Sequence, residues 1–126
     1  MKSTKRLGIW MDHSIAYLME LTNDTIVTNT IESQSELQEN EENLNKDESH
    51  MLNKEQRLLS AYYKKLIDII KNYEEILLFG STEAKNELLN LIKDDHHFEK
   101  IKIDVKSADK MTENQRQAFV KEYFKS

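Results

Sequence analysis

The chain has 126 residues, a length that predicts one domain, residues 1–126, with enough chain to bury a core. It contains no cysteine, which excludes disulfides, thiolate metal sites and a cysteine nucleophile. Its only glycines are Gly8 and Gly80, so no glycine-rich phosphate loop can form. No apolar run approaches the ~20 residues of a membrane span, and the basic N-terminus lacks a signal peptide's apolar segment. We therefore expect a cytoplasmic protein with no membrane partner.

The net charge of −5 is concentrated in one segment. Residues 34–50 contain six acidic side chains and one lysine, so the remainder of the chain is neutral. A neutral body gives no support for strong nonspecific nucleic-acid binding, and no DNA partner is expected. The segment is rich in Glu, Asn, Ser and Gln, which predicts a mobile acidic loop. Loops of this length inside small domains are usually functional or disordered.

The N-terminal third predicts three antiparallel strands joined by turns. Residues 6–12 (RLGIWMD) are apolar on both faces, which is typical of a central strand, and Trp10 should lie in the core. Asp12, His13 and Ser14 predict a tight turn, because Asp and Ser side chains bond their own backbone. Residues 15–21 form the second strand, and residues 25–32, β-branched and half polar, suit an outer strand.

A long helix is predicted over residues 51–73, with Asn53 as its N-terminal cap. Apolar side chains recur at three- and four-residue steps along it, as expected of a helix laid across a sheet. Tyr62 and Tyr63 are adjacent, so only one of the two is expected to face the core. The apolar stripe comprises Leu59, Tyr62, Leu66, Ile69, Ile70 and Tyr73.

Residues 75–92 predict a strand, a turn and a helix. Residues 76–79 form a short unbroken apolar run, typical of a central parallel strand, and Gly80 follows it. Ser81 or Thr82 is expected to cap the next helix. Its buried face should contain Ala84, Leu88, Leu91 and Ile92, with Phe98 folding back into the core beyond it.

The C-terminal quarter predicts an edge strand and a last helix. Residues 100–106 (KIKIDVK) alternate cleanly, and their charges would keep an edge strand from pairing with other chains. Thr112 and Gln115 form a capping box for a helix that runs from Glu113 nearly to the end. The apolar face of this helix comprises Phe119, Val120, Tyr123 and Phe124.

The element order β-β-β-α-β-α-β-α predicts an α/β fold. Three meandering strands followed by two strands reached through right-handed crossovers give a mixed five-stranded sheet in the order 3-2-1-4-5. Helices should cover both faces. This is the ribonuclease H-like arrangement.

Several stretches resemble a group of small bacterial proteins that are similar to the middle domain of archaeo-eukaryotic class-one peptide-release factors and of Pelota. The resemblance spans nearly the whole chain except the acidic loop, and it implies a release-factor-middle-domain-like domain that is ribonuclease H-like. The resemblance to the release factors themselves rests on topology and on the strand-Phe-Gly-helix unit at residues 78–84. The stretches are KRLGIWMDHSIAYLMEL, HMLNKEQ, YYKKL, ILLFGSTEAKNELLNLIKDDHHF and DKMTENQRQAFVKEYF.

The chain departs from the release factors at one motif. They carry a Gly-Gly-Gln loop between the third strand and the long helix, where this chain has residues 34–50 without any glycine. An acidic loop should also be repelled by ribosomal RNA, so peptide release by that mechanism is not expected. The resemblance then implies a non-enzymatic binding module associated with translation, with the ribosome or a translation-related protein as partner.

The residues that could be catalytic or bind a ligand are explained more simply by structural roles. Asp12 ends the first strand, where ribonuclease H-like nucleases hold a metal, but such enzymes need several converging carboxylates and the fourth strand ends in Gly80 without an acid. Glu55 and Asp109 show no spacing that converges on it. Residues 94–97 (DDHH) point in different directions on a helix, and Ser81 with Thr82 suits capping more than phosphate binding. We predict no catalytic, cofactor or metal site.

The last quarter is locally basic, and it is the place to expect contact with RNA or an acidic partner, including the chain's own acidic loop as a mask. Two other functions stay open: a degenerate or metal-dependent nuclease of ribonuclease H-like fold, and a structural homo-oligomer. The sequence leaves the oligomeric state open. The basic residues are Lys100, Lys102, Lys106, Lys110, Arg116, Lys121 and Lys125, diluted by Asp104, Asp109, Glu113 and Glu122.

Overall fold

The structure is a computed structural model that describes residues 5–22, 25–33 and 48–125, with the backbone alone along residues 48–56. Most of the predicted acidic loop, residues 34–47, lies outside the described residues. The elements are β1 (Arg6–Met11), β2 (Ile15–Thr22), β3 (Thr25–Glu32), α1 (Glu48–Ile70), β4 (Glu75–Gly80), α2 (Ala84–Ile92), a short 3-10 turn (His96–Phe98), β5 (Lys102–Ser107) and α3 (Glu113–Lys125).

The five strands form one mixed sheet in the order β3-β2-β1-β4-β5, which confirms the predicted topology. β1 pairs antiparallel with β2 and β2 with β3, whereas β1 and β4, and β4 and β5, are parallel. The two central strands β1 and β4 are buried from their second residue onward, as expected of strands covered on both faces.

Helices cover both faces of the sheet, and each face has its own core. α1 and α2 bury the larger one, to which β1 contributes Leu7, Ile9 and Met11. α3 buries the smaller one, to which β1 contributes Trp10. Alternate residues of one strand therefore supply two cores, because successive side chains point to opposite faces. Phe98 folds back into the larger core, as predicted.

The start of α1 was predicted wrongly. The helix begins at Glu48 and ends at Ile70, so residues 48–50 are helical and Asn53 lies inside the helix instead of capping it. The preference of Asn53 for a cap position is outweighed by the helix propensity of its neighbours, such as Glu55. Tyr73 follows the helix but still packs against the larger core. None of the described helices is long and apolar enough to cross a membrane.

The prediction that one of the two adjacent tyrosines is exposed is also wrong. Tyr62 and Tyr63 are 1% and 5% exposed. The Tyr62 hydroxyl donates to the backbone oxygen of Asp12 at 2.9 Å, and that of Tyr63 donates to Glu87 at 2.6 Å. Two neighbouring positions can both be buried here because α1 has the sheet on one side and α2 on the other.

Three of the four residues predicted for the buried face of α2 are buried, namely Ala84, Leu88 and Ile92. The fourth, Leu91, is wrong: it is 58% exposed, whereas Lys85, which was not predicted, is buried. The N-terminal cap position is Glu83, whose side chain makes no cap bond, although the Thr82 hydroxyl accepts from the Ala84 N–H at 3.2 Å. The prediction that Ser81 or Thr82 is the N-terminal cap residue of α2 is therefore wrong.

The start of α3 follows its capping box as predicted. The Gln115 N–H donates to the Thr112 hydroxyl at 3.2 Å, and the Thr112 N–H donates to the Gln115 side chain at 2.9 Å. These two bonds satisfy two donors that would otherwise be unpaired near a helix start.

Candidate binding surface

Asp12 is held in the turn between β1 and β2. Its Oδ1 accepts from the Ser14 N–H at 2.8 Å, the Ser14 hydroxyl at 2.9 Å and the Ile15 N–H at 2.9 Å. Partial burial raises the pKa of Asp12, but these hydrogen bonds outweigh burial and bring its pKa below the ordinary value. One carboxylate oxygen is thus committed to the turn, as the turn reading predicts.

Replacing Asp12 separates a turn role from a metal-ligand role. We expect Asp12→Ala to lower the free energy of unfolding by about 2 kcal/mol, because two backbone donors lose their acceptor. Asp12→Asn keeps an acceptor oxygen and should lose about half as much. Urea denaturation at neutral pH measures both. If both variants were as stable as the native chain, Asp12 would have no role in the turn and would return as a metal-ligand candidate.

A polar cluster that the sequence did not predict lies beside this turn. One oxygen of Glu87, Oε1, accepts from the Tyr63 hydroxyl at 2.6 Å and lies 3.1 Å from His13 Nε2. The hydrogen bond from Tyr63 is the main cause that lowers the pKa of Glu87. Two partners on one oxygen join the β1–β2 turn, α1 and α2, so the cluster ties three elements together. In the described part of the chain, no group of three or more His, Asp or Glu side chains is placed to hold a metal.

The histidines after α2 pair with separate carboxylates. His97 Nδ1 lies 2.8 Å from Asp95, and His96 Nδ1 lies 2.6 Å from Glu99. Asp95 also accepts from the His97 N–H at 2.9 Å, and this is the first cause that lowers its pKa. Both rings are more than three-quarters exposed. The two histidines do not converge on one point, in agreement with the surface reading.

Two of the basic residues in the last quarter stack on aromatic rings. The Arg116 guanidinium lies 3.7 Å from the centre of the Tyr17 ring and 6.0 Å from that of Trp10. Its Nη1 also donates to the Met111 carbonyl at 2.7 Å. Lys106 Nζ lies 5.7 Å from the Tyr123 ring centre. Arg116 is thus engaged in holding α3 to the sheet, which reduces its availability to a partner.

α3 crosses β1 with its direction opposed to that of the strand. Arg6 lies over the Phe124 ring at 5.9 Å, and Trp10 lies 6.0 Å from Arg116. Between them, the Cα of Gly8 approaches Val120 so closely that a Cβ there would overlap the valine methyl groups. Two residues along the strand span ~6.6 Å, and four residues along the helix span ~6.0 Å. Each step of two residues along β1 therefore meets a step of four residues along α3.

This alignment brings Arg6 to the C-terminal end of α3, where it borders a groove with Lys121 and Lys125. The groove has a volume of about 560 Å³, and Leu21 and Phe124 supply its apolar lining. Ala118 and Glu122 complete it. Three cations and one carboxylate therefore surround a partly apolar surface. Cations at the border can contact phosphates or carboxylates.

Arg6 is engaged in part by its own molecule, through Glu75 and the Phe124 ring. Its Nε lies 3.7 Å from Glu75, which is an ion-pair distance beyond hydrogen-bond range. Among the described residues, this buried Nε has no hydrogen-bond partner. A planar guanidinium offers several donors in a fixed geometry that suits phosphate and carboxylate groups. Because the Nε is buried, a contact between Arg6 and a partner would be made by the remaining donors of its 37%-exposed side chain.

Solved structures with a similar fold were found by comparison with known proteins. No protein-family model and no curated protein matches the chain. Among solved structures, Pelota from Archaeoglobus fulgidus superposes with a TM-score of 0.61 at 9% identity, over 98% of this chain and 32% of that one. Pelota from Thermoplasma acidophilum gives a TM-score of 0.58 at 14% identity, again over 98% and 32%. The fold is Pelota-like.

The Pelota-like fold confirms the predicted resemblance at the level of architecture. The chain spans about a third of the length of the two Pelota chains that it matches. At these identities the likeness concerns the fold alone. Only Lys121 and Lys125 were in the predicted basic set. Arg6 was missed because it lies in the first strand, more than 100 residues away, although an antiparallel placement of α3 on β1 would have found it.

Proposed function

We propose that this chain is a single-domain, non-enzymatic binding module of the translation machinery, and that it docks through the α3 groove. The observation that carries the proposal is the convergence of Arg6, Lys121 and Lys125 on one partly apolar groove. The Pelota-like fold supports the translation context, because the release-factor and Pelota family that the sequence resembles belongs to translation. We infer ribosomal RNA, or an acidic protein bound to it, as the partner.

The charge distribution supports this choice of surface. Outside residues 34–50 the chain is neutral, so the groove provides local rather than overall positive charge. Binding should therefore be site-specific and should depend on salt according to the few contacts the groove makes. The acidic segment, residues 34–47, lies outside the described residues, and its role as a mask stays a prediction.

Co-sedimentation with purified ribosomes across a salt series tests the groove. We expect the native chain to bind, and Lys121→Glu with Lys125→Glu to weaken binding at least about tenfold while lowering the log–log salt slope by about two. The matched control is Lys64→Glu with Lys65→Glu, which makes the same charge change at two exposed positions of α1.

Three results are informative. Weakening by the groove variant alone supports the proposal. Equal weakening by both variants would show that total charge matters and the groove does not. An absence of ribosome binding by the native chain would contradict the translation role and leave the fold unaffected.

A further inference from the structure

The two edges of the sheet are protected unequally. β5, at one edge, has six residues and carries Lys102, Asp104 and Lys106. β3, at the other edge, has eight residues, and residues 25–31 contain no charge, no proline and no glycine. Natural sheets usually protect long edge strands with charges, prolines or bulges, because an open edge is a template for pairing with another strand.

The backbone groups of β3 that point outward can be assigned from the pairing with β2. The Ser33 N–H donates to the Ser14 carbonyl at 2.9 Å, in the register that pairs Asn29 with Leu18. Antiparallel ladders alternate bonded and non-bonded pairs, so the odd-numbered residues of β3 bond to β2. The even-numbered residues, 26, 28, 30 and 32, then direct their N–H and C=O groups away from the sheet. No described residue pairs with them.

The side chains of β3 are suited to a second strand. Val27 is 52% exposed, one of two large apolar side chains in the described residues that are so exposed. Ile31 lies on the same face and packs against the larger core, whereas Ile26 packs against the smaller core on the opposite face. A strand added beside β3 would cover Val27 and continue both apolar faces.

We propose that β3 pairs antiparallel with β3 of a second copy of this chain, around a twofold axis at Asn29. In this register Val27 faces Ile31 of the partner copy, Thr28 faces Thr30, and Asn29 faces itself. Pairs of β-branched residues and of threonines are favourable across strands. The even-numbered residues form the bonded pairs, in agreement with the direction of their free backbone groups. Two five-stranded sheets become one sheet of ten strands.

A second copy fits this edge better than a charged partner. Residues 25–31 carry no charge, so two copies of the strand do not repel each other. A register centred on Thr28 would instead set Val27 opposite Asn29 and Ile26 opposite Thr30, apolar against polar. The Asn29 register matches like with like at its central pairs, Val27 with Ile31 and Thr28 with Thr30, and sets only Ile26 opposite a polar residue, Glu32. An isologous contact of this kind closes at the dimer.

Crosslinking tests the register directly, because the chain has no cysteine of its own. Asn29 would form a non-bonded antiparallel pair with its copy, where the Cα atoms are ~4.5 Å apart and a disulfide can form. We expect Asn29→Cys to give a covalent dimer under mild oxidation. Asn90→Cys, at an exposed position of α2, is the matched control and should stay monomeric on a non-reducing gel.

Charge substitutions at Asn29 give a reversible test by sedimentation equilibrium. Asn29→Lys and Asn29→Glu should each weaken self-association about fivefold, because like charges then face each other, and an equimolar mixture should recover it. Asn90→Lys and Asn90→Glu should associate as the native chain does. A native chain that is monomeric at every accessible concentration overturns the proposal, whatever else occupies the edge. So does a dimer that is unaffected by the Asn29 variants. Neither result bears on ribosome binding.

Discussion

Replacing Gly80 with alanine should lower the free energy of unfolding by about 3 kcal/mol or more. Gly80 ends β4 with a φ of 156°, a backbone conformation that residues with a Cβ rarely adopt. A Cβ there would overlap the backbone carbonyl oxygen of Met11 on the adjacent strand. Strain and overpacking each cost about 1–3 kcal/mol, and together they would remove a large part of a typical domain's stability. Urea denaturation measures the loss as a lower midpoint with an unchanged slope.

Gly8 supplies the matched comparison for Gly80. A Cβ at Gly8 would overlap the methyl groups of Val120, a side chain that can be shortened. Gly8→Ala should therefore be destabilising alone and should be largely rescued by Val120→Ala, as a double-mutant cycle would show. Shortening Met11 should not rescue Gly80→Ala, because the obstacle is a backbone oxygen. A loss of under about 1 kcal/mol for Gly80→Ala would contradict the backbone conformation that we describe.

Stability should fall steeply in alkaline solution. Burial, followed by hydrogen bonding to Glu20, raises the pKa of Tyr73 to about 12. Burial is also the main cause that raises the pKa values of Tyr62 and Tyr63, with added contributions from the charge of Asp12 and the bond to Glu87. The unfolded chain releases these protons near pH 10, before the folded protein does. The stabilisation is thus fully present below pH ~10 and is lost as the pH rises toward the folded pKa values.

Two tyrosines that ionise only on unfolding lower the free energy of unfolding by up to about 3 kcal/mol per pH unit. Tyr73 is more exposed, and we expect a smaller contribution from it. Urea denaturation between pH 9 and about pH 11 measures this slope. Tyr62→Phe with Tyr63→Phe should flatten it, whereas Ile70→Val, a core variant that keeps every tyrosine, should leave it steep. A stability that stays constant over this range would contradict the burial of the two hydroxyls.

The fold could be predicted because its central strands have an unambiguous signal. Residues 7–11 and 76–79 are apolar on both faces, so they had to lie in the middle of a sheet, and the turn at Asp12 set the direction of β2. The start of α1 could not be predicted from Asn53, because cap preferences are local and weak beside the propensity of the whole segment. Three of the four residues predicted for the buried face of α2 are buried, but the exposure of Leu91 depends on how α2 packs, which a helical period alone does not give.

The candidate surface was predictable in part. Lys121 and Lys125 are four residues apart on one helix and thus share a face, which the sequence shows directly. Arg6 joins them through the pairing of β1 with α3, and Glu87 joins Tyr63 and His13 through the packing of α1 and α2. Such convergences link distant parts of the chain and need the tertiary structure. The sequence also showed two adjacent tyrosines but could not show that two different surfaces bury them.

Because each face of the sheet has its own core, the fluorescence of a tryptophan in one core reports on that face alone. Trp10 is the only tryptophan, and it lies in the smaller core under α3, beside Tyr17 and Arg116. Its emission therefore reports the attachment of α3, while helical circular dichroism is dominated by α1, the longest helix on the opposite face. Comparing the two signals during unfolding would reveal whether the layers separate together or one after the other.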